Sequence, residues 1–298
     1  MDSRIWFGRR AATCARQVAR LSYLGSLTLL VAGFGLSAQT SAPGPEFPPS
    51  MKHPLIPSHG SNLLGVFYLA AGAGPHPTAV LFHGFPGYEQ NLDLAQELRR
   101  AGWNVLAVHY RGSWGVAGKF SFLGSAEDAD AEVNFVLDPR NTAEYRIDPD
   151  RIVVIGHSMG GFMAASAAAH NPRVKAAVLL SAWNIGAARP NEADEAKALA
   201  SGENLAPISG TDGTTLAHEE FTHRAELDMV NLAPSIAPRP VLIVTAHDGS
   251  DQFAVPFTEA LRSAGDTHIS HSHFETDHSY SGKRLELANV VLDFLKTE

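Results

Sequence analysis

The chain of 298 residues carries one cysteine, Cys14. It falls in the N-terminal stretch, which leaves the rest of the sequence without a thiolate metal site, a cysteine nucleophile or a disulfide framework. Long apolar runs are equally scarce. The uncharged, largely apolar stretch of the N-terminus, residues 21–36, is about 16 residues, short of the roughly 20 that a membrane span needs. Basic residues are few outside the N-terminus. From Gln39 onward there are 18 Lys and Arg against 30 Asp and Glu, a formal net charge of −12. Such a surface repels phosphate backbones, which argues against a nucleic-acid partner and accommodates a neutral or cationic small molecule.

What the N-terminus does hold is the pattern of an export signal. Arg4, Arg9, Arg10, Arg16 and Arg20 precede the apolar stretch, and Ser37-Ala38 before Gln39 offers a small-residue cleavage site. Residues 1–38 are therefore expected to be a signal peptide, with a retained anchor as the alternative. Once the signal is removed, no stable membrane insertion is expected, and the protein is expected to be exported, to the periplasm or beyond. Residues 39–57, with six prolines, are expected to form an extended linker, and 58–298 a single domain.

The organising stretch of that domain is Gly156-His157-Ser158-Met159-Gly160. The β-branched run 151–155 leads into it, and the alanine-rich segment that starts at Gly161 leads out. Strand, sharp turn and helix in that order make the setting of a nucleophile elbow, in which Ser158 stands clear of the sheet. Bulky residues two positions either side would collide with strand and helix, and glycine at 156 and 160 removes that obstacle. The N-terminus of the following helix supplies a positive dipole end where an oxyanion would form.

Around the elbow, strands are expected at 63–69, 78–82, 103–108, 174–180, 241–246 and 267–274, and helices at 89–101, 125–137, 257–264 and 284–295. Strand and helix alternate, which predicts a mostly parallel sheet covered on both faces. Residues 185–238 break the alternation, with helical pieces near 192–200 and 216–227. They are expected to fold as a small helical cap over the active face.

A serine hydroxyl needs a histidine to take its proton, and the histidine needs a carboxylate to orient it. His278, beyond the last strand and before the final helix, is the expected base. His268, His271 and His273 lie within the strand pattern and are read as one exposed face, with no metal bound. The acid is Asp248 or Asp251, both just after strand 241–246. Asp248 is preferred because it is nearer the strand end and Gly249 permits a sharp turn. The oxyanion donors are expected to be the amides of Met159 and Phe85, since Pro86 has no N–H. Tyr88, Tyr110 and Trp183 are candidates to line the substrate pocket. No cofactor is expected.

His83-Gly84 after a strand, the Gly156 to Gly161 elbow, Asp248 and Asp277-His278, in that order, resemble the α/β-hydrolase superfamily. Tyr110-Arg111-Gly112 and the residues 147–152 are similar to the hydrolase domain shared by dienelactone hydrolases and prolyl oligopeptidase-like enzymes. The chain departs from dienelactone hydrolase in having serine at the elbow. The resemblance implies an α/β-hydrolase fold and acyl transfer through a covalent intermediate. Small carboxylic esters are the expected substrates, with peptides or amides as the alternative. A silent hydrolase fold used as a binding module is the rival from another class.

Overall fold

The computed structural model describes residues 46–187 and 189–297. The expected export signal and the first part of the expected linker lie outside the described residues.

The rest of the expected linker is not a linker. Ser50–Lys52 (β1) and Ile56–Ser58 (β2) both pair antiparallel with Ser61–Leu69 (β3), β2 in a tight hairpin with Ser58 opposite Ser61. Proline density suggested a free chain, but Pro57 sits at an exposed position of a short edge strand while Ile56 and Ser58 are buried, which a strand tolerates.

His76–Phe82 (β4), Leu92–Arg100 (α1), Asn104–His109 (β5), Phe122–Leu137 (α2), Pro139–Glu144 (α3), Ile147–His157 (β6), Met159–His170 (α4) and Val174–Leu180 (β7) follow. After the cap come Val241–Ala246, Asp251–Ser263, Ile269–Phe274 and Arg284–Leu295. The strand order, with β8 and β9 for the last two strands, is β1-β3-β5-β4-β6-β7-β8-β9, and every neighbouring pair from β5 to β9 is parallel. β3 joins β5 antiparallel. This is the mostly parallel sheet that the alternation predicted, with an antiparallel margin added by the N-terminal strands.

Because successive strand residues point to opposite faces, β6 feeds two cores at once. Ile152 and Val154 pack with α2 and α4, while Val153 and Ile155 pack with α1 and the C-terminal helix. α4 is buried along almost its whole length, from Met159 to Ala168, so its small residues let it lie close against the sheet.

Two boundary shifts and one added helix have local causes. α2 begins at Phe122 because Ser121 accepts from the Gly124 N–H, and Glu219 of the cap accepts from the Phe122 and Leu123 N–H groups. α3, absent from the sequence reading, is nucleated by Asp138, whose carboxylate accepts from the Arg140 N–H, with Pro139 in the first turn. The helix expected at 257–264 starts at Asp251 and takes Pro256 on its exposed side.

Between β7 and β8 lie Glu192–Leu199 (α5), Gly213–Thr222 (α6) and Ala233–Ile236 (α7), with short 3-10 turns at Ile185–Ala187 and Met229–Leu232. These are the helical insertion expected over residues 185–238. The two C-terminal helices are α8 (Asp251–Ser263) and α9 (Arg284–Leu295). Among the described residues, no helix is long and apolar enough to cross a membrane.

Candidate active site

Ser158 joins β6 to α4 with φ 57° and ψ −122°, a backbone region that costs a non-glycine residue energy and persists only where its surroundings demand it. Those surroundings are close. A Cβ on Gly156 would lie 1.8 Å from the Gly160 carbonyl oxygen, and one on Gly160 would lie 2.1 Å from the carbonyl oxygen of Phe82. The Ser158 N–H donates to the Leu180 carbonyl at 2.9 Å, and its own carbonyl accepts from Gly161 and Trp183. The turn is thus pinned to two strands and a helix.

Asp248 follows β8 and His278 lies between β9 and α9. Their contact is direct: His278 Nδ1 donates to Asp248 Oδ2 at 2.7 Å. Burial works against the charge on Asp248, but the hydrogen bonds from His278 and from the Ser250 N–H, with the hydroxyls of Ser250 and Ser181 close by, outweigh it. They hold the carboxyl well below its ordinary range. A charged acceptor at Nδ1 leaves the lone pair of neutral His278 on Nε2, the tautomer that a general base needs.

Asp251 is elsewhere. It opens α8 with an oxygen 3.8 Å from His273 Nδ1, so the rival carboxylate meets one of the rival histidines on the sheet edge. His271 and His273 both approach the Thr245 hydroxyl, and His268 lies 4.0 Å from Asp266.

Gly84, Phe85, Pro86, Tyr88, Ser158 and His278 line one cavity of about 160 Å³. A Cβ built on Gly84 would stand 3.5 Å from Ser158 Oγ, which measures how near the loop after β4 comes to the Ser158 hydroxyl. Met159, at the first turn of α4, is fully buried. Phe85 also borders a larger cavity of about 570 Å³ between the cap and α8, with Trp183, Arg189, Leu199 and Phe253 among its walls.

The three pocket candidates separate. Trp183 lines the larger cavity. Tyr88 stands at the rim, 57% exposed, with its hydroxyl donating to the Glu203 carbonyl. Tyr110 lines neither of these two cavities: it is fully buried, donates to the His83 carbonyl at 3.0 Å and packs at a tilt against the His83 ring. Its position after β5 placed it near the site, but its hydroxyl is consumed in holding the loop from below.

Sequence reasoning missed the supports. His157 Nε2 donates to the His278 carbonyl at 2.8 Å, and burial followed by the nearness of His278 pushes the His157 imidazole down to about 3, so it is neutral. Tyr280 Oη donates to the Val244 carbonyl at 3.0 Å and lies 2.8 Å from Ser181 Oγ. His157 fills an x position of the elbow, and Ser181 and Tyr280 carry no motif; His157 and Tyr280 could have been singled out only by lying beside Ser158 and His278 in the chain, and Ser181 only as the first residue after β7.

A strained serine elbow at the carboxyl end of a parallel sheet, with an acid after one strand and a histidine after the next, defines an α/β-hydrolase. The chain belongs to the family described as serine aminopeptidase, S33, whose pattern matches residues 73–230, a little over half of the 298. The solved structure of a Pyrobaculum calidifontis esterase superposes with a TM-score of 0.62 at 20% identity, covering 83% of this chain and 85% of that one. Two curated proteins share shorter segments. A bis(hydroxyethyl) terephthalate hydrolase of Streptomyces coelicolor is 35% identical over 74 residues, 24% of each chain. Cutinase 1 of Thermobifida cellulosilytica is 38% identical over 61 residues, 20% of this chain and 23% of that one. The chain thus spans about a quarter of the length of these curated relatives.

Proposed function

We propose that the protein is a serine hydrolase that cleaves carboxylic esters through an acyl-enzyme, with Ser158, His278 and Asp248 as its triad. The observation that carries this reading is the 2.7 Å bond between His278 Nδ1 and Asp248, in a loop whose His278 ring shares a cavity with Ser158. Ser158 Oγ attacks the ester carbonyl while His278 Nε2 takes its proton. Asp248 holds the imidazole in the reactive tautomer and stabilises the imidazolium. The amides of Met159 and Phe85 receive the oxyanion, and His278 returns the proton to the leaving alcohol. Water then attacks the acyl-serine by the same steps in reverse roles.

Ester cleavage, rather than amide cleavage, is supported by the esterase whose fold this chain shares and by the two ester-hydrolysing relatives. The walls of the larger cavity, Trp183, Leu199 and Phe253 with the paired Arg189 and Glu195 at one side, suit a small substrate with an apolar body and a polar end. The second reading, an aminopeptidase, is favoured by the family's description. Export through removal of residues 1–38 completes the proposal, and the mass of the mature chain tests it.

Turnover of p-nitrophenyl esters of increasing chain length, beside aminoacyl p-nitroanilides, tests the reaction. Ester turnover that Ser158→Ala abolishes supports the esterase; selective anilide turnover supports the aminopeptidase. Failure of a fluorophosphonate to label folded wild-type protein, with no turnover of either substrate class, returns the fold to a binding role.

A further inference from the structure

The register of β4 and β5 pairs Leu81 with Ala107, so two residues further on, at the carboxyl ends of the strands, His83 and His109 come out side by side. Their rings touch: His109 Nδ1 lies 3.2 Å from His83 Nε2, and His83 Nδ1 lies 2.8 Å from the carbonyl oxygen of Gly84. Neither contact belongs to the triad.

The chemistry of the partners assigns the protons. A carbonyl only accepts, so His83 Nδ1 must carry the hydrogen that bonds Gly84. His83 is buried, and burial, then the neighbouring His109, push its imidazole down to about 3, so it is neutral and its Nε2 is a bare lone pair. His109 Nδ1 must then be the donor. The hydrogens run in one direction, from His109 to His83 to the Gly84 carbonyl.

That direction bears on the loop. The Gly84 carbonyl and the Phe85 N–H belong to one peptide plane and point opposite ways across it. A grip on the carbonyl from the His83 side aims the Phe85 N–H to the other side, where the cavity shared with Ser158 lies. Two further carbonyls of the loop are held from the chain segment that follows His109. Tyr110 Oη donates to the carbonyl of His83, and Trp114 Nε1 donates to that of Pro86 at 2.7 Å. Trp114 in turn stacks on His109, with ring centroids 5.9 Å apart.

We infer that His109 is a positioning residue for the oxyanion hole: by donating to His83 it locks the tautomer with which His83 aims the Phe85 amide. The inference rests on the proposed hydrolase reading. Without the His109 donor, His83 is free to move its hydrogen to Nε2, which sets a lone pair against the Gly84 carbonyl and lets that peptide turn.

Two readouts test it. In wild-type protein, ¹⁵N-resolved NMR of the imidazoles, assigned with His83→Gln and His109→Asn, should find both His83 and His109 protonated at Nδ1; His83 protonated at Nε2 overturns the inference, whatever the activity. In ester turnover, His109→Phe, which keeps a ring but donates nothing, should lower kcat by about tenfold or more. Its KM should stay within about threefold, because the lost interaction is made in the transition state. His109→Asn, whose amide places a donor where Nδ1 stood, should restore most of kcat. Wild-type kcat in His109→Phe, or equal loss in both variants at unchanged melting temperature, overturns it. Failure of the parent reading is separate, since it shows as turnover in the wild type that Ser158→Ala leaves intact.

Discussion

Asp248 and His278 are thirty residues apart in the chain and meet at 2.7 Å because β8 and β9 run parallel and end at the same edge of the sheet. The carboxylate is almost fully buried and the histidine half exposed, so the pair has a fixed side and a reaching side.

Removing the charge of Asp248 should cost far more than removing that of Asp251. Asp248→Asn leaves an amide against His278 Nδ1 and favours the wrong tautomer, so kcat for a p-nitrophenyl ester should fall by about 10²–10⁴. Asp251→Asn loses only a contact with His273 on the sheet edge, and its kcat should stay within about twofold of wild type. Equal loss in both would put the acid in doubt.

His157→Phe should loosen the loop that carries His278, since it removes the donor to the His278 carbonyl. A hydrogen bond lost in a buried place, leaving its acceptor bare, destabilises by about 1–3 kcal/mol. Thermal melts measure that loss, and the ester kcat should fall with it while Ser158 remains in its strained turn.

Gly160→Ala tests the elbow itself. Its new Cβ would fall 2.1 Å from the carbonyl oxygen of Phe82, a contact that forces β4 and α4 apart. Destabilisation above about 4 kcal/mol is expected, seen as loss of soluble protein or a steep drop in denaturant midpoint. A variant as stable as wild type would show that the turn has room that the geometry denies.

The cap carries a pH-dependent element. Glu220 is buried in α6 with neither carboxyl oxygen hydrogen-bonded; burial first, then Glu195 and Glu219 nearby, push it from 4.5 up to about 9 despite Arg224. The folded chain therefore keeps a proton that the unfolded chain has released. Stability contributed by neutral Glu220 is fully present below 4.5 and is lost as pH rises towards about 9. Glu220→Gln carries no such proton, so its melting temperature should gain on wild type steadily through that window and level off above it. A difference that does not change with pH would mean that Glu220 is charged when folded.

Much of this molecule is written locally. Gly156, Gly160 and the residues between them specify the elbow because the steric demand of a sharp strand-to-helix turn is met within five residues. The parallel sheet followed from alternating apolar runs, and His278 and Asp248 were legible as candidates because chain order and strand ends confine where a base and an acid can stand. What a short window does not contain is which partners arrive from elsewhere. Asp248 and Asp251 differ by three positions and both follow the same strand; the turn at Gly249 and the start of α8 send one to His278 and the other to His273. Tyr110 reads as a pocket residue until β4 is laid beside β5 and its hydroxyl is found under His83. Pro57 reads as linker until β3 offers an edge. Sequence by itself determined the turn, the strand pattern and the kinds of side chain available, because these depend on sterics and periodicity along the chain. Tertiary structure alone decided the pairing of those side chains, because hydrogen bonds and burial depend on distances between segments that only the folded sheet brings together.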